Sequence, residues 1–510
     1  MQLIDTKNLP TDLETANKII TDLSQDHKTL QEKYANMERR LNQYLRAEYG
    51  SKSEKFIDPD QMKLFEDMDE DEIDSVIEES EKKVPPKRHK HGRRKISEDT
   101  LPREEEIHDV PEGKKICDEC FSEMKEAGED IFEHYEHKPA SYIVKRHRKK
   151  KYACHCGKCI VTAKMPRQPI EKGIAGPGLI ADVAISKFCD HLPLYRQSEI
   201  MERSKLDMST STLWNIELGG AKALEPLYEL MKRDIQKSFV IQMDETFIKR
   251  WFKRKDNPKG KGLKDSYFWC WRGDKDHPYV LFDYSLSRAS KIPLRLLDKF
   301  NGYLQTDGYS AYEKLHREKK IIRLACLVHI RRYFITAHDA GELKAKYFLS
   351  EVQKLYEIEE VCKEFDFENR KIHRLEGAVS IIDGLEEWMT QVLVDELPSS
   401  LTHKAVKYAL GQWDAFKRYL ENGRFEIDNN LTENEVRPVA LGRKNYLFIS
   451  SDQGGKCASI YYSLIRSAKR NGLEPYAYLK DVLTRIKSTS SKQLKDLLPQ
   501  NWVACESQEK

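Results

Sequence analysis

The chain has 510 residues, 34% of them charged and 39% hydrophobic, which is too long for a single core and too polar for a bundle of membrane spans. No apolar run approaches membrane-spanning length, and no charged start followed by an apolar block marks a secretory leader, so a cytosolic protein with no membrane partner is expected. The net charge of +3 conceals local extremes, and the eleven cysteines argue for metal rather than a disulfide framework, because five of them fall between positions 117 and 159.

From Leu13 the apolar positions step by three and four through Ala16, Ile20, Leu23, Leu30, Tyr34, Met37, Leu41 and Tyr44, with His27 the one polar member. This seam predicts a coiled-coil helix over 1–50 and hence a homo-oligomer or a partner helix. Packing against the chain's own body is the alternative. Residues 51–100 read as a linker. From Asp58 to Glu81 there are twelve acids against one lysine, and from Lys82 to Lys95 eight Lys/Arg, two His and no acid. Solvated disorder is the bland reading of both runs, and the basic run better suits phosphate.

A zinc-binding domain is expected over 101–170. Cys117 and Cys120 form one Cys-x-x-Cys, and "YACHCGKCI" supplies Cys154, Cys156 and Cys159. Tetrahedral zinc takes four soft ligands from two turns, which the pairs Cys117/Cys120 and Cys156/Cys159 provide. Cys154 is the alternative to Cys156, His155 is a weaker candidate, and buried free thiols are the bland reading. The preceding "KRHRKKKY" puts six Lys/Arg beside the site, as on a nucleic-acid-binding module.

Residues 171–232 predict three short helices, "GPGLIADVAISKFCDH", "PLYRQSEIMERSK" after Pro193, and "STSTLWNIELGGAKAL" capped by Ser209 or Ser211. The last two resemble a helix-turn-helix, a weak signal by spacing alone.

Residues 233–340 read as the first part of a mixed α/β core. Val240, Ile241 and Met243 predict a buried strand that runs into Asp244, a charge that must be bonded, paired or bound to metal. Strands follow at 265–273 and 278–285, a helix near 287–299, then a short strand at Tyr303 and Leu304 ending in Asp307, and a strand over 320–329. That order suits a ribonuclease-H-like sheet. Two acids ending neighbouring strands can share divalent cations, as two-ion phosphoryl transfer requires. A helical insertion is expected over 341–420, then the second part of the core over 421–488 and a tail over 489–510. Glu433, in the first turn of a helix opened by Asn429 or Asn430, is the best third acid, with Arg437 one turn on. A capping-box role opposite Asn430 is its bland alternative, and turn acids are the bland reading of Asp244 and Asp307.

The loop "KRWFKRKDNPKGKGLK", 249–264, holds eight Lys/Arg and one Asp. Lys249, Arg250, Lys253 and Arg254 suit phosphates and Trp251 can stack on unpaired bases; a solvated hairpin tip is the alternative.

The succession of heptad helix, "YGSKSEKF", "CDEC" with "YACHCGKC", "IQMDET", "GYLQTDGYSAY", "CLVHIRRYF" and "IDNNLTENEVRPVALGRKNYLF" resembles the transposases of the insertion-sequence-66 family over nearly the whole chain. The resemblance implies a DDE transposase with a ribonuclease-H-like core interrupted by helices, cutting and joining DNA at the ends of its element. It further implies Asp244, Asp307 and Glu433 as the triad holding two Mg2+ or Mn2+, and a structural Zn2+ on four cysteines. Phosphate contacts from Arg437, Arg443 and Lys444, small accessory proteins as partners and a nucleoid-associated prokaryotic location belong to the same expectation. A nuclease that cuts without joining, or a DNA-binding zinc protein with a decayed site, are the other classes.

Overall fold

A computed structural model of the chain describes residues 141–153, 160–251, 262–309, 311–312, 315 and 321–504. The heptad segment, the charged linker, Cys117, Cys120, Cys154, His155, Cys156, Cys159, Lys253 and Arg254 lie outside the described residues. Two compact units divide the chain, and every element below lies in the one that contains Val144–Lys510.

Strands β1 (Lys151–Ala153) and β2 (Ile160–Thr162) pair antiparallel, with Tyr152 opposite Val161. They bracket "CHCGKC", and the basic residues from Lys145 to Lys150 before them are exposed. The three expected helices follow as α1 (Pro177–Phe188), α2 (Leu194–Arg203) and α3 (Thr210–Ile235). Ser209 caps α3, its hydroxyl accepting from the Thr212 amide at 3.2 Å. Expected to end at Leu224, α3 instead runs through Pro226 to Ile235, because Leu227, Tyr228, Met231 and Ile235 continue its buried face. Packing of that face offsets the hydrogen bond that proline removes. The opposite face of α3 stays exposed well past its first turn, at Lys222, Glu225, Glu229 and Arg233.

The core is a mixed α/β arrangement around a six-stranded sheet. Its strands are β3 (Val240–Trp251), β4 (Leu263–Arg272), β5 (Val280–Ser285), β6 (Tyr303–Thr306), β7 (Ile322–Ala325) and the two-residue β8 (Phe448–Ile449). The order is β5-β4-β3-β6-β7, with β8 beside the far end of β3. β3, β4 and β5 form an antiparallel meander, while β6 and β7 run parallel to β3 after the crossover helix α4 (Lys291–Leu296). The strand expected over 320–329 is shorter: it stops at Ala325, and "LVH" already opens helix α5 (Leu327–Asp339). Leu327 and Ile330 recur at helical spacing there, and both are buried.

The insertion forms α6 (Lys344–Cys362), α7 (Phe367–Gly377), α8 (Val379–Asp395) and α9 (Leu401–Lys417). It shares one apolar cluster with the sheet, in which Val240, Leu324 and Phe334 pack with Phe348, Met389, Trp413 and Phe416. Inside it Arg374 is fully buried, bonded by Nε and Nη2 to the Glu359 carboxylate at 2.7 Å and by Nη2 to the Phe425 carbonyl at 2.9 Å.

Helices α10 (Asn430–Tyr446), α11 (Asp452–Arg470) and α12 (Pro475–Arg485) complete the fold. α11 lies along edge strand β5, where the Ser463 and Ser467 hydroxyls accept from the Phe282 and Val280 amides at 2.8 Å each. Those small side chains let the helix approach and cover an edge otherwise open to strand pairing. The segment read as a tail packs on α12: Leu497 and Leu498 are buried, and Trp502 Nε1 donates to Asp481 at 2.6 Å.

Candidate active site

Asp244 and Asp307 become neighbours through strand register. β3 and β6 pair in parallel with Gln242 opposite Gln305, and each aspartate stands two residues further on, at the same height and on the same face. The glutamines themselves are buried and bonded, Gln242 Nε2 donating to Gln305 Oε1 at 2.7 Å. They also bind the segment leading into α10. Gln242 Nε2 reaches the Asp428 carbonyl at 3.2 Å, Gln305 Nε2 the Glu426 carbonyl at 2.7 Å, and Thr432 Oγ1 donates to Gln242 Oε1 at 3.0 Å. Thr432 precedes Glu433, so this glutamine pair fixes the first turn of α10 against both strands.

The three acids feel one another. Burial first, then the charges of Glu245, Asp307 and Glu433, push the Asp244 carboxyl up to about 7, against the bond its Oδ1 accepts from the Glu245 amide at 2.8 Å. Asp307 Oδ1 accepts from the Tyr309 amide at 3.1 Å. Gly308, next to it, leaves no room for a Cβ, which would stand 2.4 Å from the Tyr408 hydroxyl of α9. The insertion therefore reaches the second aspartate.

Glu433 does not cap its helix. Asn429 is the N-cap residue without a side-chain cap bond; its Oδ1 is taken by the Cys326 thiol at 2.8 Å. Glu433 turns instead to α5, where Arg332 Nη2 donates to Oε2 at 2.6 Å and His329 Nε2 lies 3.7 Å from Oε1. Glu433 Oε1 is buried with no hydrogen-bond partner. As they stand, no three His, Cys, Asp or Glu side chains among the described residues could hold a metal ion together. The donor chemistry nevertheless fits a hard divalent cation: oxygen ligands only, mutually repelling carboxylates, and an orphaned buried carboxylate oxygen.

Several neighbours carried no role in the sequence reading. Glu245 faces away from α10, accepting from the Tyr312 hydroxyl at 2.5 Å and from Arg288 Nε at 2.7 Å, and burial holds its carboxyl above the ordinary value. His329 and Arg332 lie in "CLVHIRRYF". The glutamine pair had a legible signal, since Gln-x-Asp occurs at both 242–244 and 305–307.

Of the expected phosphate contacts, Lys249 pairs with Asp265 at 2.7 Å and Arg250 with Asp452 at 2.5 Å. Arg443 donates to Thr246 Oγ1 at 2.9 Å and to the Phe247 carbonyl at 2.7 Å, its guanidinium 4.0 Å from the Phe247 ring centre. Arg437 and Lys444 are exposed on α10. Trp251 is 46% exposed, its ring 5.8 Å from Phe448.

Residues 172–457, which contain all three acids, match the Transposase IS66 family. The chain belongs to that family. The IS66 C-terminal element matches 463–500, and "Transposase C of IS166 homeodomain" matches 36–105. The zinc-finger binding domain of transposase IS66 matches 114–157, a span holding Cys117, Cys120, Cys154 and Cys156. Among curated relatives, the uncharacterized protein y4jD of Sinorhizobium fredii is 34% identical over 423 residues, 79% of this chain and 81% of the relative. The uncharacterized protein y4qI of the same organism is 30% identical over 500 residues, 93% and 90% of the two chains. The solved Drosophila P element transposase strand transfer complex is 13% identical with a TM-score of 0.31, over 57% of this chain and 92% of that one, too low a score to establish a shared fold. No helix among the described residues of this IS66 transposase is long and apolar enough to cross a membrane.

Proposed function

We propose that this chain is a DDE transposase that cleaves DNA at the ends of its element and joins the freed strand to a target, with Asp244, Asp307 and Glu433 as its catalytic acids. The observation carrying the proposal is the register of Gln242 opposite Gln305, which puts Asp307, just past the end of β6, beside Asp244, a residue within β3 that continues to Trp251. The order β5-β4-β3-β6-β7, three antiparallel strands followed by two parallel ones, supports a ribonuclease-H-like core.

In the proposed reaction a water oxygen attacks the phosphorus at the element's end, the bond to O3′ breaks, and the proton lost by water leaves a free 3′-hydroxyl. That hydroxyl then attacks a target phosphodiester in the same way, and no protein–DNA bond forms. Two Mg2+ or Mn2+ ions bound by the acids would supply activation of the attacking oxygen and stabilisation of the leaving one. Asp244 and Asp307 gather negative charge where β6 ends beside β3, and Glu433 adds a third carboxylate from α10. Arg443, Arg437 and Lys444 lie along α10 to hold phosphates, and Trp251 offers a stacking face. The cysteines Cys117, Cys120, Cys156 and Cys159, or Cys154 in place of Cys156, would bind a structural Zn2+. DNA ends and target are the partners, with self-association through the heptad helix and accessory proteins of the element completing the assembly.

A cellular transposition assay with a marked element compares wild type with Asp244→Asn, Asp307→Asn and Glu433→Gln at matched expression. Loss of movement in all three with end binding kept supports the triad. Retained movement in any variant removes that acid from it, and cutting without strand joining makes the chain a nuclease.

A further inference from the structure

A cavity of about 240 Å3 lies between α1, the start of α3, β3, β8 and the start of α11, and the proposed chemistry makes no use of it. Its walls are aromatic: Phe188, Trp214, Phe268, Tyr446 and Phe448, with Lys187 the one charged residue lining it. Drug-sized ligands occupy roughly 300–1,000 Å3, so this space suits one flat ring system rather than a larger molecule.

Three features point to the occupant. First, Lys187 is fixed at the aromatic wall, with Nζ 5.1 Å from the Phe188 ring centre and 5.8 Å from that of Trp214. The buried Glu217 takes two bonds from it, at 2.7 and 2.9 Å, leaving the third donor of the ammonium for a ring acceptor such as guanine O6 or N7. Second, Phe448 is 38% exposed. It follows Leu447, which stands at φ 63°, a left-handed conformation that a branched side chain rarely adopts. Third, Ile248 on the cavity floor shares a face of β3 with Asp244 four residues earlier, about 13 Å away at ~3.3 Å per residue. Between them Arg443 bonds Thr246, placing a cation where a phosphate would pass from the acids to the cavity.

We propose that this cavity receives one nucleobase of the element's end, extruded from the duplex about four nucleotides from the cleaved phosphodiester at ~3.4 Å per nucleotide. The inference rests on the transposase reading. Its walls stack on the base and the Lys187 ammonium donates to its edge.

The test is binding of the full-length protein, without divalent metal, to synthetic duplexes of the element's own terminal repeat, in which each of the first eight pairs in turn is a mismatch. A mismatch removes the pairing that extrusion must break, so wild type should bind at least threefold tighter at one position near the fourth pair. Phe448→Ala and Lys187→Met should lose that gain, while Phe448→Trp keeps it. A flat scan, or a gain that persists in both Phe448→Ala and Lys187→Met, overturns the base pocket while leaving the transposase reading intact. Failure of wild type to bind the paired ends at all overturns both.

Discussion

Arg332 of α5 and Glu433 of α10 form an ion pair, Nη2 to Oε2, at 2.6 Å. The pair holds the third acid on the side of α5, so a cation entering among the carboxylates competes with a guanidinium for Glu433. Both side chains are partly exposed, at 37% and 21%, which limits the pair to the roughly 0.2–1 kcal/mol of exposed ion pairs. Arg332→Met should therefore tighten Mn2+ binding by about two- to fivefold in calorimetric titration. An unchanged dissociation constant would show that Arg332 does not compete with metal.

Asp244 makes stability depend on pH. Its carboxyl is pushed up to about 7 from an ordinary 3.8, so between those values the folded chain holds a proton that the unfolded chain has released. Stability from this group is present at low pH and declines as pH rises from about 4 to about 7. The decline has an upper bound of about 4 kcal/mol. In EDTA, Asp244→Asn should melt several degrees above wild type at pH 8 and within about a degree of it at pH 4. Equal differences at the two pH values would place the penalty elsewhere.

Arg374 is buried with Glu359 in the insertion. Arg374→Met leaves Glu359 with Arg370 as its remaining cation, at 2.9 Å, and should destabilise by at most about 3–5 kcal/mol in denaturant unfolding. Arg374→Met combined with Glu359→Met should recover more than half of that loss, since no unpaired charge remains. A double variant no better than the single one would mean that the carbonyl contacts of Arg374, rather than the ion pair, carry the effect.

Metal analysis of purified protein should find one zinc per chain. Zinc should be lost in Cys117→Ser, Cys120→Ser, Cys156→Ser and Cys159→Ser and kept in Cys154→Ser. Zinc kept in Cys156→Ser and lost in Cys154→Ser would move the ligand to Cys154.

Local patterns carried much of the molecule. The strand of Val240, Ile241 and Met243, the Ser209 cap, the meander and the insertion helices follow from periodicities of 2 and 3.6 and from turn chemistry, which adjacent residues set. Pattern failed where packing overrode it, as when α3 crossed Pro226 and when "LVH" left the strand to open α5.

The sequence by itself singled out Asp244, Asp307 and Glu433, because two of these acids follow apolar runs and the third opens a helix; it expected both runs to end there, whereas β3 continues past Asp244 to Trp251, held by its pairing with β4. It could not say that Glu433 ignores its own helix end to pair with Arg332, or that Gln242 and Gln305 bond across β3 and β6. Those contacts join residues 101 and 63 positions apart, and only the tertiary structure decided them. Register between distant strands is set by the whole sheet and its covering helices, and no local stretch of chain encodes it.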